Sequence, residues 1–148
     1  MKVAILMGSE KDMGKMEGCA AVLDEFGIEH EVHVMSAHRT PEKVAEFVGS
    51  ARANGFGVIV CGAGKAAHLA GAAAAHSTLP VIGIPIAAGG MGGVDALYST
   101  VQMPTGIPVA TVAIDGTANA GYLAASILSI TDERIADKLA AYRESLKG

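Results

Sequence analysis

From end to end the chain alternates short, continuous apolar runs with longer segments whose apolar residues recur at helical spacing. Val3–Met7, Val58–Cys61 and Leu79–Ile84 are runs of strand length with no polar face. Strands of this kind are buried on both sides, as in a parallel sheet covered by helices. Asp12 to Phe26 carries Met13, Met16, Ala20, Leu23 and Phe26 at helical spacing, and Gly27 ends it. A second strand is expected from about Glu31 to Met35. Thr40-Pro41 then opens a helix as N-cap and first-turn proline, with Val44, Phe47, Val48 and Ala51 as its buried stripe and Asn54-Gly55 closing it. An alanine-rich helix from about Ala66 to Ala75 follows strand three. A glycine-dense loop, Ala87 to Gly93, follows strand four, and Asp95 to Val101 reads as a short helix. Pro108 to Ile114 is the expected fifth strand and Ala118 to Ile130 a helix. Thr131-Asp132-Glu133 caps a final helix spanning about 131–147. The pattern predicts one α/β domain over 1–148, a three-layer flavodoxin-like sandwich with a five-stranded parallel sheet.

Hydrophobic content of 51% against 18% charge places the chain among compact globular proteins. Aromatic residues make up only 4%, so the core must be built from aliphatic side chains and Met. The 19 glycines and many alanines let elements approach closely, and suit helix faces that pack on other subunits. A net charge of -4 offers no basic footprint for a nucleic-acid polymer. Cys19 and Cys61 lie far apart without ligand spacing, which suits reduced thiols in a cytoplasmic protein. Met1 to Met7 reads as a first strand and not a signal peptide, and no run is long enough to span a membrane.

In a parallel sheet all carboxyl-end turns open on one edge, and ligands bind in the crevice there. Two such turns here carry histidine: Ser36-Ala37-His38-Arg39-Thr40-Pro41 and Gly62-Ala63-Gly64-Lys65-Ala66-Ala67-His68-Leu69. His38 can exchange a proton near neutral pH, and Arg39 offers a planar fork for a phosphate or carboxylate. The combination suits an anionic substrate undergoing proton transfer. Gly8-Ser9-Glu10-Lys11-Asp12, after strand one, reads both as a capping box and as an anion site at a helix start. Gly62 to Ala67 fits G-x-G-x-x-A. No Asp or Glu lies between Glu46 and Asp95, so the acidic partner of a dinucleotide ribose is missing. The motif is read instead as a backbone cradle. His30, His33 and His76 need no function, and Cys61, His38 and His68 lack the local ligand pair of a metal site.

Met7-Gly8-Ser9-x-x-Asp12, Ser36 to Pro41, Gly62-Ala63-Gly64-x-Ala66-Ala67-His68-Leu69, Leu79 to Gly83, and Val101-Gln102-Met103-Pro104 with Pro108 to Val112 form colinear blocks. Together they resemble the bacterial N5-carboxyaminoimidazole ribonucleotide mutases of purine biosynthesis. The resemblance implies conversion of N5-carboxyaminoimidazole ribonucleotide to 4-carboxy-5-aminoimidazole ribonucleotide without cofactor or metal, in a cytoplasmic homo-octamer. It implies that Ser9, Ser36 and Arg39 bind the 5′-phosphate and that Asp12 binds the ribose hydroxyls, with Gly8 and Met13 completing the substrate-binding set. His38 would be the acid/base, and His68 a second catalytic residue. Gly64, Lys65, Ala66 and Leu69 would surround the base and carboxylate. The loop Ala87 to Gly93 departs from the family pattern, which usually carries a serine and larger side chains there. The family's carboxyl-terminal arm is not found before Gly148. Two other readings stand beside this one: the related carboxylase that uses CO2 directly, whose members typically have Lys where Arg39 stands, and an inactive nucleotide-binding sensor. A phospho-acceptor receiver on the same fold would need an Asp ending strand three, where Cys61-Gly62 stand.

Overall fold

The computed structural model describes residues 1–148. Its elements are β1 (Lys2–Met7), α1 (Met13–Phe26), β2 (His30–Val34), α2 (Pro41–Ser50), β3 (Phe56–Gly64), α3 (Leu69–His76), β4 (Val81–Ile86), α4 (Val94–Val101), β5 (Ala110–Thr111), α5 (Thr117–Leu128) and α6 (Glu133–Ser145). All strand pairs are parallel, in the order β2-β1-β3-β4-β5. This is the doubly wound, flavodoxin-like order expected from the sequence.

The alternation of the strands divides the interior into two cores. Val3, Ile5 and Met7 of β1, with Val58, Val60, Ile82, Ile84 and Ile86, pack against α1 and α5. Ala4, Leu6, Ile59, Cys61 and Val81 face the other way, onto α2 and α3. The central strands are therefore apolar on both faces, which is why they read as unbroken apolar runs. Cys19 lies in the first core and Cys61 in the second, both as free thiols. Burial pushes the Cys19 thiol up to about 12 and Cys61 higher still. No helix is long and apolar enough to cross a membrane.

Several local expectations are corrected. β3 runs on to Gly64, because Gly62, Ala63 and Gly64 pair with Ile84, Pro85 and Ile86 of β4. The glycine-rich motif is thus largely strand, and Gly62 is small because Met16 and Ile86 fill the space a Cβ would take. α3 begins three residues late, after Lys65 takes a left-handed backbone at φ 56. β5 has only two residues: Pro108 has no amide to donate, and beyond Thr111 only isolated amides reach back to β4. α1 is preceded by a 3-10 turn, Glu10–Asp12. Ser9 accepts from the Lys11 amide, with no returning bond from Asp12, so the capping box is half formed. α5 and α6 are trimmed to Thr117–Leu128 and Glu133–Ser145, with Asp132 capping the latter.

The small helix faces expected to meet other subunits are used within the chain. Ala70, Ala73 and Ala74 of α3 lie on the sheet, and Ala120, Ala124 and Ala125 of α5 are fully enclosed. At Gly121 a Cβ would fall 2.8 Å from Val22 Cβ and 3.0 Å from the Cys19 carbonyl oxygen, so α1 and α5 nearly touch backbone to backbone. Gly121→Ala is expected to destabilise the fold by about 1–3 kcal/mol, because neither neighbour is a flexible side-chain end. At Gly14 nothing lies within 4 Å of where a Cβ would stand. Gly14→Ala should therefore be neutral or stabilising by up to ~1 kcal/mol through helix propensity. Urea midpoints with unchanged m-values would check both signs.

Candidate active site

Because β1, β2 and β3 are parallel neighbours, the turns that follow them leave the same edge of the sheet. β1 and β3 are adjacent, but one is followed by a connection toward β2 and the other by a connection toward β4. The crevice between them is the topological switch point, where doubly wound folds bind ligands. A cavity of about 320 Å³ lies there.

The cavity is lined by Gly8, Ser9 and Asp12 from the first turn, Ser36, His38 and Arg39 from the second, and Ala63, Gly64, Ala66, His68 and Leu69 from the third. Ten of the twelve residues singled out from the sequence are brought together. Met13 and Lys65 are not among the lining residues. Met13 is the first residue of α1 and is 40% exposed. Lys65 has a left-handed backbone, and its Cε lies 3.3 Å from where a Cβ on Gly89 would stand. Ala63 lines the cavity although it was not singled out. Its signal was its place inside the glycine motif, where only a small side chain leaves room.

The turn after β2 is held rigidly by two hydroxyls. The Thr40 hydroxyl accepts from the Ser36 amide at 3.0 Å and donates to the Ser36 carbonyl at 3.1 Å. Thr40 is the N-cap residue of α2 and Pro41 its first residue, as expected, but the Thr40 hydroxyl closes the turn and makes no capping bond to the helix. Ser36 Oγ accepts from the amides of His38 and Arg39 at 3.3 and 3.2 Å. With both lone pairs so engaged, its hydrogen is left to donate. Ser9 Oγ, which accepts from the Lys11 amide at 3.3 Å, has a hydrogen to donate in the same way. An anion needs donors, and two serine hydroxyls supply them.

Arg39 Nη2 donates to the Gly8 carbonyl at 2.6 Å, which ties the second turn to the first. Arg39 lines both the cavity and a neighbouring recess of about 460 Å³ that shares Gly8, Ser9 and Ser36, and its remaining N–H groups have no partner in the chain. In the same cavity, partial burial raises the Asp12 carboxyl, opposed by the Lys15 charge. A carboxylate that burial makes costlier to ionise gains most from ligand hydroxyls that donate to it. His38 Nε2 and His68 Nδ1 lie 2.7 Å apart with the rings nearly perpendicular. Such a bond holds one proton between the two rings, so either imidazole can be the donor and the other the acceptor. The arrangement can fix an anion at one end and pass a proton at the other.

Comparison with known proteins places these features in context. The family model described as AIR carboxylase matches residues 2–148. A relative from Aquifex aeolicus named N5-carboxyaminoimidazole ribonucleotide mutase is 56% identical over 137 residues, covering 93% of this chain and 82% of its own. A protein of the same name from Vibrio vulnificus is 52% identical over 145 residues, covering 97% and 90%. Among solved structures, Treponema denticola PurE matches with a TM-score of 0.89 and 36% identity, over 98% of this chain and 90% of its own.

Arg39→Ala is expected to act on anion binding. A charge-assisted hydrogen bond contributes about 1.5–3 kcal/mol, so the Kd for ribose 5-phosphate should rise about ten- to a hundredfold. Calorimetric titration of both proteins would read the change, and an unchanged Kd would place the anion elsewhere.

Proposed function

The chain belongs to the AIR carboxylase family, and from that premise we propose that it is the isomerase converting N5-carboxyaminoimidazole ribonucleotide to 4-carboxy-5-aminoimidazole ribonucleotide in de novo purine (IMP) biosynthesis. The observation that carries this reading is the His38–His68 pair, 2.7 Å apart within the cavity that Arg39 borders. The names of the relatives from Aquifex aeolicus and Vibrio vulnificus support it.

The 5′-phosphate takes the hydroxyls of Ser9 and Ser36 and the guanidinium of Arg39, and the ribose hydroxyls donate to Asp12. That orientation directs the aminoimidazole ring toward Gly64, Ala66 and Leu69. The N–C bond of the carbamate then breaks, its electron pair staying on nitrogen, and nitrogen takes a proton from His38. The released CO2 is attacked by the electron-rich C4 of the ring, forming the new C–C bond. His38 finally removes the hydrogen from C4 and aromaticity returns. One proton leaves His38 and one comes back, so the residue is unchanged over a turnover. His68 keeps the His38 ring oriented and exchanges the shared proton with it. No nucleic-acid polymer or membrane enters this scheme, and a cytoplasmic setting follows from the pathway.

We also propose a homo-octamer. Its support is the family likeness together with an apolar stripe at Met91, Val94, Tyr98 and Val101, all of them exposed on one side of α4 and the loop before it. Light scattering at micromolar concentration should give eight copies, and a monomer would refute the assembly.

The family description leaves a second reading, direct carboxylation of aminoimidazole ribonucleotide by CO2. Carbamate labelled in its carboxyl carbon, turned over briefly in excess unlabelled bicarbonate, should give product that keeps most of the label. Product formed as fast from aminoimidazole ribonucleotide and CO2 would favour the carboxylase. In the same assay His38→Asn should abolish turnover while leaving the fold intact, since an amide hydrogen-bonds but cannot carry the proton. A variant keeping a tenth of the wild-type kcat, a loss of only ~1.4 kcal/mol, would remove His38 from the acid/base role.

A further inference from the structure

Only two residues other than glycine adopt a left-handed backbone, Lys65 at φ 56 and Asp115 at φ 54, and both touch the loop of residues 87–93. Such conformations persist only where the surroundings enforce them. At Asp115 the enforcement is visible. Its amide donates to the Pro85 carbonyl at 2.8 Å, and its carboxylate accepts the Ala87 amide at 2.9 Å. Lys15 Nζ pairs with that carboxylate at 3.1 Å and donates to the Ala87 carbonyl at 2.7 Å. Both polar groups of Ala87 are thus captured by side chains about 72 residues upstream and 28 downstream.

The far end of the loop closes on the same point. A Cβ at Gly93 would collide with Ile114 and with Ala87, so the two ends of the loop abut. Between them, Ala88, Gly89 and Gly90 belong to no helix or strand, and no side chain or backbone group from outside the loop bonds to them. This free segment lies at the cavity rim: Ala88 Cβ is 2.9 Å from where a Cβ on Gly64 would stand, and Gly64 lines the cavity. Lys15, one turn along α1 from Asp12, links the loop base to the cavity wall.

We propose that Lys15 and Asp115 are positioning residues that clamp the base of the loop, so that the free segment Ala88–Gly90 closes over the cavity and holds released CO2 against the ring. The proposal rests on the mutase reading. A base that is fixed on both sides lets the tip move as a hinged flap and return to one place. With the clamp removed, the flap closes less completely and CO2 exchanges with solvent before C4 captures it.

The test is the fraction of carboxyl label lost to excess unlabelled bicarbonate, measured with kcat, KM and melting temperature for Asp115→Gly and Lys15→Met. Glycine is at ease in the left-handed region, so Asp115→Gly removes the carboxylate while relieving the backbone. A purely conformational role for Asp115 would leave that variant equal to wild type. The expected result is label loss roughly threefold or more above wild type in both variants, with KM little changed. Label retained as in wild type by both variants would overturn the clamp and leave the mutase reading standing. Unlabelled product from the wild type would overturn the mutase reading, and the clamp's role with it.

Discussion

The hydrogen bonding of β1 between β2 and β3 is the constraint on which the site depends. Met7 pairs with Val34 on one side and with Gly62 on the other, so β1 and β2 end at one level and β3 ends two residues beyond it on the same edge. In a sheet buried on both faces, a slip of one residue would exchange the two cores, sending Val3, Ile5 and Met7 toward α2 and α3. The register is therefore held by the full apolar content of both interiors. That security lets two imidazoles separated by 30 residues in sequence meet within a single hydrogen bond.

Rigidity and freedom are divided around the cavity. On the β2 side, Thr40 and Ser36 lock the backbone that carries His38 and Arg39, and Arg39 itself is tied to Gly8. On the β4 side, the chain is fixed at Ala87 and again at Gly93, with a segment between that no group outside the loop holds. The groups proposed to hold the substrate sit on the locked side. The backbone proposed to close over it lies on the β4 side, where glycine supplies the conformations that larger residues resist.

β1 and β4 were legible because continuous apolar runs have few other solutions, and a parallel sheet followed from the strand–helix alternation. The cavity was legible because parallel strands send their turns to one edge, which alone assembles Ser9, His38 and His68. The extension of β3 to Gly64 was not, because a glycine-rich stretch resembles a loop until a neighbouring strand is seen to pair with it. Lys65 was placed toward the substrate because its neighbours in sequence face it. Its backbone is left-handed, its Cε lies near Gly89, and it is not among the residues that line the cavity. Thr40 had the signature of a helix cap and uses its hydroxyl one turn earlier, a choice that depends on where the Ser36 backbone lies in space. The clamp of Lys15, Ala87 and Asp115 joins residues with no common motif, so nothing local announces it.

The two cysteines have a use that follows from their burial alone. Each is sealed in a different core, one on each side of the sheet, and each thiol is held far from the reactive thiolate form. Thiol reagents therefore find no thiol to attack while both layers are closed. The chain carries a native gauge of its own opening: the rates at which Cys19 and Cys61 become modified separately report how often the α1/α5 layer and the α2/α3 layer lift from the sheet.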